Sequence, residues 1–592
     1  MADTINGLKR TNMCGELTEA DIGKSVTLMG WCHKNRDLGG LTFITLRDRT
    51  GEIQLVSGPE SADAVKETAA KVRSEYVLAV KGEVALRSAP NPKMKTGTIE
   101  VNLTELRIVS ESQTPPFYID EDCEANEQLR LKYRYLDLRR PDMQRNMILR
   151  HRIAKSARDY FDEKGFLEIE TPMLGKSTPE GARDYLVPSR VKQGSFFALP
   201  QSPQLYKQLL MLAGYDRYMQ IAKCFRDEDL RADRQPEFTQ IDLEMSFADS
   251  EDVMAVNEGF LKRLFKETKG IDIELPLPRL TWDEAMERFG SDKPDLRFGF
   301  ELKKLNDLVK DTEFKVFSDA LASGGDVRGI CIDDASDKFS RKDIDKLTEA
   351  AKHYGAKGLV WIRLEGGEYR SSVSKFFDQE QLAEIAKVFG AKDNALILIA
   401  ADKAKVVFDT LGFLRRHIAG KLGLLNDNEY KLLWVTDFPM FERDDDGRLK
   451  AMHHPFTHPK NRDIPLLDVD PEKVKADAYD IVINGVEAGG GSVRIHEGDL
   501  QKKMFSVLGL TDEECKEKFG FLIEAFRFGP PPHAGLAYGL DRLLMLIGGE
   551  PSIREFMAFP KNQNGQCLLS GAPGQIETEQ LDELHVRPLD VE

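Results

Sequence analysis

The sequence predicts an α+β multidomain protein with three folded units: an N-terminal five-stranded β-barrel, a domain of helices on an antiparallel sheet, and an inserted α/β domain. Residues 1–112 predict the barrel because they contain five short β-rich runs separated by turn residues. Residues 146–288 and 431–562 alternate long helical patterns with β-rich runs, which is typical of helices packed on an antiparallel sheet. Residues 289–430 have helix and strand patterns of their own, and we expect them to form an inserted domain.

The barrel prediction rests on five strands within roughly a hundred residues, for which the OB-fold is the commonest closed solution. The expected strands are Val26–Trp31, Thr42–Arg47, Ile53–Val56, Tyr76–Val84 and Ile99–Leu103. A polar stretch at 112–128 is expected to act as a hinge, and the apolar spacing within 146–164 predicts a long helix. The expected segments are 1–112 for the barrel, 113–145 for the hinge, 146–288 and 431–562 for the two halves of the antiparallel-sheet domain, 289–430 for the insertion and 563–592 for a C-terminal extension.

The charge of the chain is unevenly distributed. Residues 1–112 contain 15 basic and 15 acidic residues, so the remainder carries the whole formal charge of −16. Between Lys24 and Thr50 five basic residues stand against two acidic ones, and Phe43 lies in the same stretch. Single-stranded nucleic acid requires such a surface, because bases stack on rings while cations hold the phosphates. Solvated charges around a core phenylalanine are the alternative, which composition alone favours.

Composition also excludes several functional classes. No run of 18 apolar residues occurs, and the first thirty residues lack a basic start followed by an apolar core, so we expect neither a membrane span nor a secretory signal. The seven cysteines are far apart and form no C-x-x-C pair, which fits a reducing cytoplasm rather than a disulfide framework or a zinc site. A pI near 5.4 argues against wholesale coating of nucleic acid but allows local basic patches.

The first group of chemically suggestive residues lies on a predicted hairpin after Cys224. Strand alternation places Arg226 and Glu228 on one face of the first strand. On one face of the second strand it places Phe238, Gln240, Asp242 and Glu244. A face with an arginine, an aromatic ring and several acids or amides cannot be a hydrophobic core. We therefore expect it to be the floor of a polar site, with an exposed salt-bridged sheet face as the alternative.

The second group surrounds Asn484-Gly485, a dipeptide that predicts a two-residue hairpin turn. In that register Asp480 lies diagonal to Glu487 on one face, roughly 7–8 Å away, which suits a shared divalent cation. The run Gly489–Gly491 lets a ligand approach the backbone, and strand alternation aims Arg494 at one face. Two carboxylates and an arginine fit a metal-bound phosphate and an anionic substrate, whereas a surface ion pair of the arginine is the alternative.

The third group is a glycine turn, Gly535–Gly539, that leads into a helix whose first turn carries Arg542. A helix start with an arginine is a natural seat for a phosphate. By itself this pattern is weak evidence, because many surface helices begin after a glycine.

In this order the three groups resemble the signature motifs of class II aminoacyl-tRNA synthetases. Residues 165–172, which end in Pro172, resemble motif 1; residues 225–239 resemble motif 2; and Gly539-Leu540-Asp541-Arg542 resembles motif 3. The order of the domains, with the barrel before the catalytic domain, is similar to the order in the aspartyl, asparaginyl and lysyl subgroup. The stretches 177–182, 201–207, 453–456 and 489–494 and the large insertion resemble bacterial-type aspartyl-tRNA synthetases, essentially from end to end.

The resemblance implies a class II synthetase catalytic domain that attaches L-aspartate to tRNA-Asp in two steps. Aspartate and ATP give aspartyl-adenylate and pyrophosphate, and the terminal ribose of tRNA then takes the aspartyl group. The resemblance implies that Arg226 and Arg542 are catalytic residues. Arg226 would contact the α-phosphate of ATP, and Arg542 would hold its γ-phosphate. The implied ATP-binding residues are Arg226, Asp227, Glu228, Gln235, Phe238, Glu487, Gly539, Leu540, Asp541 and Arg542. Asp480 and Glu487 are the implied ligands of Mg²⁺.

The same resemblance implies an aspartate site. Its residues are Glu180, Gln204, Lys207, Arg226, Asp242, His453 and Arg494. Lys207 and Arg494 are the expected partners of the substrate's β-carboxylate, because a neutral asparagine amide would leave charge unpaired. The segment 176–182 resembles a mobile loop that closes over aspartate. A structural hydrogen bond is the alternative role for His453.

Further implied contacts concern tRNA and a second subunit. Arg36, Phe43, Gln54 and Glu100 match anticodon-contacting positions, and Pro172 matches the dimer interface of the family, which implies a homodimer. Leu38 follows Arg36-Asp37 where relaxed bacterial relatives often have a histidine, which favours tRNA-Asp. The alternative is a non-discriminating enzyme that also aspartylates tRNA-Asn.

Two other functions are disfavoured by particular residues. A lysyl enzyme is disfavoured because Lys207 and Arg494 would repel a lysine side chain. A descendant that binds nucleic acid without catalysis typically loses the motif arginines, whereas Arg226, Arg542 and Glu487 are all present.

Overall fold

The computed structural model describes residues 3–178, 182–444 and 446–587. The chain forms two compact units, of which the first comprises Met1–His151 with Arg554–Gln575 and the second comprises Arg152–Ile553 with Ile576–Glu592. Among the described residues, no helix has the length and apolar character needed to cross a membrane.

The first unit contains a closed five-stranded barrel with the strand order β1-β2-β3-β5-β4. Its elements are β1 (Ser25–Asp37), β2 (Thr42–Asp48), β3 (Gly51–Ser57), α1 (Asp63–Lys71), β4 (Val77–Leu86) and β5 (Ile99–Ser110). Ile44 and Leu46 of β2 and Ile53 and Leu55 of β3 are fully buried, as period-two alternation requires of a barrel interior. The predicted OB-fold barrel is confirmed, and its strands extend beyond the apolar runs that indicated them.

Three helices follow the barrel: α2 (Glu127–Lys132), α3 (Arg134–Asp137) and α4 (Pro141–Glu163). They are tied together by Asp137, a fully buried carboxylate that accepts hydrogen bonds from Arg130 at 2.9 Å, Arg134 at 2.5 Å and Arg140 at 2.9 Å. A buried charge needs such complete pairing. The part of the predicted hinge after residue 126 is therefore helical and held by an ionic network.

The second unit is built on a large sheet whose strands come from two separated stretches of chain. The first stretch contains β6 (Leu167–Glu168), β7 (Leu186–Pro188), β8 (Phe196–Ala198), α5 (Gln204–Leu212), β9 (Arg217–Phe225), β10 (Glu237–Ser246), α6 (Ser250–Lys269), β11 (Arg279–Thr281) and α7 (Trp282–Phe289).

Between the two stretches lies the insertion. Its elements are β12 (Lys303–Lys304), α8 (Asn306–Val309), α9 (Lys315–Ala322), β13 (Asp326–Ile332), α10 (Arg341–Lys352), β14 (Val360–Glu365), β15 (Glu368–Ser371), α11 (Gln379–Phe389), β16 (Leu396–Asp402) and α12 (Ala404–Lys421). The strands form a separate antiparallel sheet in the order β12-β13-β16-β14-β15. Leu396 and Leu398 pack with α10 and α12 on one face, and Ile397 and Ile399 pack with α9 and α11 on the other.

The second stretch completes the unit. It contains β17 (Leu432–Thr436), β18 (Phe441–Arg443), β19 (Leu449–Ala451), β20 (Ala478–Ile483), β21 (Val486–Val493), α13 (Gly498–Val507), α14 (Asp512–Ala525), β22 (His533–Gly539), α15 (Leu540–Gly548) and, near the C-terminus, α16 (Thr578–Leu584). Short 3-10 turns occupy Cys14–Glu16, Glu19–Asp21, Asn461–Asp468, Pro471–Lys473, Phe526–Phe528 and Ile553–Phe556.

The large sheet has eight strands in the order β11-β17-β20-β21-β22-β10-β9-β6. Neighbouring strands are antiparallel except for the parallel pairs β11–β17 and β6–β9 at the two edges. Helix α6 packs on the sheet through Phe260, whose ring lies 5.5 Å from that of Tyr538. Because β21 and β10 both pair with β22, residues about 250 positions apart in sequence become near neighbours: Gly535 faces Glu244 on one side and Ser492 on the other.

Candidate active site

The floor of the site is the hairpin of β9 and β10, where Phe238 pairs with Cys224. Arg226 follows β9 directly, and its guanidinium carbon lies 5.1 Å from the centre of the Phe238 ring. Both side chains are half-buried and lie beside the strands that carry the polar face. A planar cation next to an aromatic ring forms a surface on which a base can stack and a phosphate can be held.

A second cation reaches the same floor from β22 and α15. Arg542, in the first turn of α15, donates through Nη1 to the backbone oxygen of Glu487 at 3.0 Å and pairs through Nη2 with Asp233 at 3.2 Å. The buried carboxylate of Asp541 accepts from the backbone N–H of Thr239 at 2.7 Å, which ties the helix start to β10. A helix N-terminus and an adjacent arginine together favour an anion.

The predicted hairpin of β20 and β21 is present, with Val482 facing Glu487 across the Asn484-Gly485 turn. A β-bulge immediately beyond that pair makes Gly490 the partner of Asp480, which the sequence did not predict. A Cβ at Gly490 would lie 2.4 Å from Oδ1 of Asp480, so glycine at this position leaves room for that carboxylate.

The two carboxylates of this hairpin are electrostatically unlike. Asp480 is buried, and burial together with the charge of Glu487 raises its pKa well above its usual value. Burial also opposes ionisation of Glu487, but the charges of Lys293 and Arg542 outweigh it and lower the pKa of that carboxyl. Nζ of Lys293 lies 2.9 Å from Oε2 of Glu487, whose side chain is 31% exposed. The carboxylate of Glu487 is thus accessible from the solvent, whereas Asp480 lies beneath the surface.

A buried charge cluster lies beyond the floor. Nζ of Lys207 is 2.7 Å from Asp242 and 3.1 Å from Glu244. Arg494 binds the same Glu244 carboxylate with two parallel bonds, from Nε at 2.8 Å and Nη2 at 3.1 Å. Burial favours the protonated form of Glu244, but Arg494 and Lys207 outweigh it and lower its pKa to about 2. One permanently ionised carboxylate therefore holds both cations in fixed positions.

Two histidines border this cluster. Nη1 of Arg494 is 2.7 Å from Nε2 of His454, whose pKa is held well below the usual value by burial and by Arg494. His453 packs edge-on against Phe438 with ring centres 4.8 Å apart, and burial lowers its pKa to about 4. Both imidazoles are therefore neutral at physiological pH, and each can offer a ring nitrogen as an acceptor.

Several polar atoms of the site are buried without a hydrogen-bond partner among the described residues. These atoms are Nε2 of Gln204, Nε of Arg226, Oδ2 of Asp242, Nε2 of His453 and Nε of Arg542. Each unpaired buried group costs about 1–3 kcal/mol, so a bound molecule that pairs with these atoms would remove that cost.

Comparisons with known proteins agree with this geometry. Residues 126–563 match the family described as tRNA synthetases class II (D, K and N). The chain belongs to this family. Residues 26–109 of this synthetase match the OB-fold nucleic acid binding domain, which is the barrel of the first unit.

Individual relatives extend over the full length of this synthetase. It is 59% identical to the aspartate–tRNA ligase of Ruminiclostridium cellulolyticum, over 99% of each chain. It is 58% identical to the aspartate–tRNA(Asp/Asn) ligase of Lachnoclostridium phytofermentans, over 99% of this chain and 98% of that relative. A crystal structure of asparaginyl-tRNA synthetase from Pyrococcus horikoshii has a TM-score of 0.58 at 20% identity, covers 93% of this chain and 98% of its own, and is similar in fold.

The structure of this synthetase brings most of the predicted aspartate and nucleotide residues into the second unit around β9, β10, β21 and β22. Asp227 pairs with Arg183 at 3.3 Å and Glu228 with Arg234 at 2.8 Å, while Gln235 is buried. Leu540 is buried at the start of α15, directly after Gly539. Glu180, in the segment 176–182 that we expect to close over aspartate, lies outside the described residues.

The predicted anticodon residues all lie in the barrel of the first unit. Arg36 faces Phe43 across β1 and β2, and Nε2 of Gln54 donates to Glu100 at 2.7 Å. Leu38 lies in the β1–β2 loop with 67% of its surface exposed. Together with Thr45, which faces Gln54, these side chains form a continuous outer surface over β1, β2, β3 and β5.

One basic residue of this stretch does not contribute to that surface. Arg47 is buried and binds Glu75 through bonds of 2.7 and 2.9 Å. Counting it with the surface cations was wrong, because Arg47 lies on the same face of β2 as Phe43 and Thr45 but is covered by Glu75 and by the backbone of Ile119.

Two residues of the site were not predicted. Glu244 lies on the predicted polar face of β10, but no role could be assigned to it from the sequence, since its partners Lys207 and Arg494 come from other elements. Lys293 lies at the start of the insertion, where no sequence pattern links it to Glu487. Only the folded chain brings these side chains together.

Proposed function

We propose that this chain is an ATP-dependent ligase that attaches L-aspartate to tRNA-Asp. The observation that carries the proposal is the buried cluster in which Glu244 holds both Lys207 and Arg494. The cluster holds two cations against two carboxylates, Glu244 and Asp242, and the β-carboxylate and α-ammonium of a bound aspartate add one charge of each sign, so the charges stay balanced. Full-length relatives named for aspartate, at 58–59% identity, support the same substrate.

The nucleotide end of the site is assigned to the motif residues. Phe238 stacks on adenine, Arg226 holds the α-phosphate, and Arg542 holds the γ-phosphate. The remaining nucleotide contacts are Asp227, Glu228, Gln235, Glu487, Gly539, Leu540 and Asp541. A carboxylate is already a nucleophile, so attack on the α-phosphate needs no general base. Positioning by fixed side chains and stabilisation of the developing phosphate charge by Arg226 therefore supply the rate enhancement.

The amino-acid end is assigned to the buried cluster and its neighbours. Arg494 and Lys207 bind the β-carboxylate of aspartate, while Asp242 and Gln204 orient the α-ammonium. His453, neutral in the free protein, contacts the substrate through the ring nitrogen that has no partner among the described residues. Glu180 belongs to the same proposed set. Asparagine is rejected because its amide leaves one cation of the pocket unpaired.

Asp480 and Glu487 are proposed to hold Mg²⁺. The described residues include no group of three or more His, Cys, Asp or Glu side chains suited to a metal ion. Two carboxylates nevertheless fit, since Mg²⁺ in nucleotide sites is held by one or two carboxylates with substrate phosphates. When bound, the ion neutralises charge on the phosphates.

The remaining parts of the proposal concern the whole protein. Arg36, Phe43, Gln54 and Glu100 form an anticodon surface on the barrel at 1–112, and segments 146–288 and 431–562 form the catalytic domain. The exposed Pro172 belongs to a homodimer interface, and the protein acts in the cytoplasm. Segment 113–145 connects the barrel to the catalytic domain, and segments 289–430 and 563–592 are the insertion and a C-terminal extension.

The experiment that tests this function is aspartylation of purified tRNA-Asp and tRNA-Asn in separate reactions. We expect charging of tRNA-Asp and little charging of tRNA-Asn. Equal charging of both would favour the non-discriminating alternative, which relatives named for Asp/Asn make a specific candidate.

Leu38→His is the matched variant, and it is expected to relax discrimination without changing aspartate-dependent ATP–pyrophosphate exchange. Charging of neither tRNA would contradict the proposal.

A further inference from the structure

Lys293 contacts Glu487 from outside the three motifs that form the proposed site. It lies in the segment between α7 and β12, where the insertion begins. Its Nζ is 2.9 Å from Oε2 of Glu487, and its side chain is 39% exposed. The ammonium thus lies against the partly exposed carboxylate of Glu487, one of the two carboxylates that we assign to Mg²⁺.

The backbone around Lys293 is firmly anchored. The buried Asp295 binds Arg297 at 2.7 and 3.0 Å, and Arg297 also donates to the backbone oxygen of Asn426 at 3.1 Å. Gly485, in the β20–β21 turn, is packed so closely that a Cβ there would lie 2.9 Å from Cβ of Asp295. The segment is therefore fixed against the hairpin that carries Asp480 and Glu487, and the flexible part is the lysine side chain.

We propose that Lys293 is a positioning residue that acts as the counter-cation of Asp480 and Glu487 in the nucleotide-free protein and competes with a divalent cation for them. This inference rests on the proposed role of those two carboxylates. Two neighbouring carboxylates with no cation between them repel each other, and an ammonium on a flexible stem relieves that repulsion reversibly. ATP supplies phosphate oxygens as further ligands for the metal, and its negative charge offers the displaced ammonium a new partner. The site therefore binds the metal more weakly alone than together with the nucleotide.

The test is the affinity of the full-length, nucleotide-free protein for Mn²⁺, measured by electron paramagnetic resonance of the unbound ion. Lys293→Met is expected to bind Mn²⁺ at least tenfold more tightly than the wild type. Lys293→Arg keeps the positive charge and is expected to stay close to the wild type. Lys303→Met removes an exposed lysine of the insertion and serves as the control for general charge effects.

Asp480→Asn and Glu487→Gln separate this inference from the proposed function. Both variants are expected to lose Mn²⁺ binding. If they lose it and Lys293→Met binds Mn²⁺ like the wild type or more weakly, the role of Lys293 is overturned while the metal assignment stands. If they bind Mn²⁺ like the wild type, the metal assignment and the role of Lys293 are both overturned. Circular dichroism of each variant establishes that the fold is retained.

Discussion

Glu244 determines the electrostatics of the proposed amino-acid pocket. Its carboxylate is fully buried, lies 3.1 Å from Lys207 and is bound by two nitrogens of Arg494. An unpaired buried charge is strongly destabilising, so each of these three side chains depends on the others. The side chains of the pocket are consequently in position before any substrate arrives. This arrangement lowers the entropic cost of ordering them when aspartate binds.

The first prediction concerns the charge of Glu244. Glu244→Gln keeps the shape of the side chain but weakens its hold on Lys207 and Arg494. We expect the free energy of aspartate binding to weaken by about 2–3 kcal/mol, which is the scale of charge-assisted hydrogen bonds. This loss would raise the KM for aspartate roughly 30- to 150-fold. The KM for ATP is expected to change little. Steady-state ATP–pyrophosphate exchange with each substrate varied separately measures both constants.

Glu251→Gln is the control for that measurement, because it neutralises an exposed carboxylate whose partner is Arg279. A Glu244→Gln enzyme with an unchanged KM for aspartate would show that the two cations are positioned by other contacts.

Sequence patterns located those site residues that lie on regular elements. Phe238 lies on β10, and Arg542 lies in the first turn of a helix that follows Gly539, as predicted, whereas Arg226 follows the end of β9 instead of lying on the strand. The nucleotide contacts of these three residues stay a prediction. Glu244 and Lys293 could not be assigned, since their partners come from distant elements and only tertiary packing brings them within 4 Å.

Among the elements, β22 makes the site possible because its residue 535 has no side chain and so leaves room for Glu244. Its Gly535 lies between Glu244 on β10 and Ser492 on β21. A Cβ at Gly535 would lie 1.9 Å from Oε2 of Glu244, and 2.3 Å from the backbone oxygen of Leu243. The buried carboxylate therefore requires glycine at this point of the central strand.

The second prediction follows from that packing. Gly535→Ala is expected to displace Glu244 and with it Lys207 and Arg494, because the backbone of β10 cannot yield. We expect a loss of aspartate-dependent exchange of at least tenfold and a stability loss of about 1–3 kcal/mol, the usual cost of overpacking a core. Thermal melting and exchange assays measure the two effects.

Gly498→Ala is the matched control, because a Cβ at this first residue of α13 meets no atom within 4 Å. If Gly535→Ala retained the activity and melting temperature of Gly498→Ala, the close packing of β22 on Glu244 would be contradicted.

Hairpins were the most predictable elements. Asn484-Gly485 indicated its turn because both residues adopt positive φ angles, 51° and 76° in the structure. The bulge after Glu487 was not predictable, because it depends on how β21 fits between β20 and β22. The barrel strands were predicted in number and position, whereas their ends were not, since barrel closure extends pairing into polar residues.

At the scale of the whole molecule, the chain separates its tasks between two compact units. The proposed anticodon residues belong to the first unit, and the proposed catalytic residues belong to the second. A net charge of −16 is therefore a poor guide to nucleic-acid binding, because the residues 1–112 are neutral overall. The fold class could be predicted from the sequence because motif order and composition are global properties. The neighbours of each charged side chain could not.

The third prediction separates the two units functionally. Phe43→Ala removes a partly exposed aromatic ring that faces Arg36 on the barrel. Base stacking contributes about 1–3 kcal/mol, so we expect the kcat/KM for tRNA charging to fall roughly 5- to 150-fold while aspartate-dependent ATP–pyrophosphate exchange stays unchanged.

Leu86→Ala, which truncates an exposed apolar side chain of β4 in the same barrel, is the control for general damage to this unit. Equal losses of charging and exchange in Phe43→Ala would argue that the ring supports the fold rather than the anticodon.

The central claim, that Arg494 recognises the side-chain carboxylate of aspartate, is tested most directly by aspartate-dependent ATP–pyrophosphate exchange in Arg494→Ala. Removal of a buried bidentate guanidinium is expected to cost at least about 2–3 kcal/mol of transition-state binding, or roughly 30- to 150-fold in the kcat/KM for aspartate. An Arg494→Ala enzyme that retains wild-type kcat/KM for aspartate would contradict the assignment of this pocket.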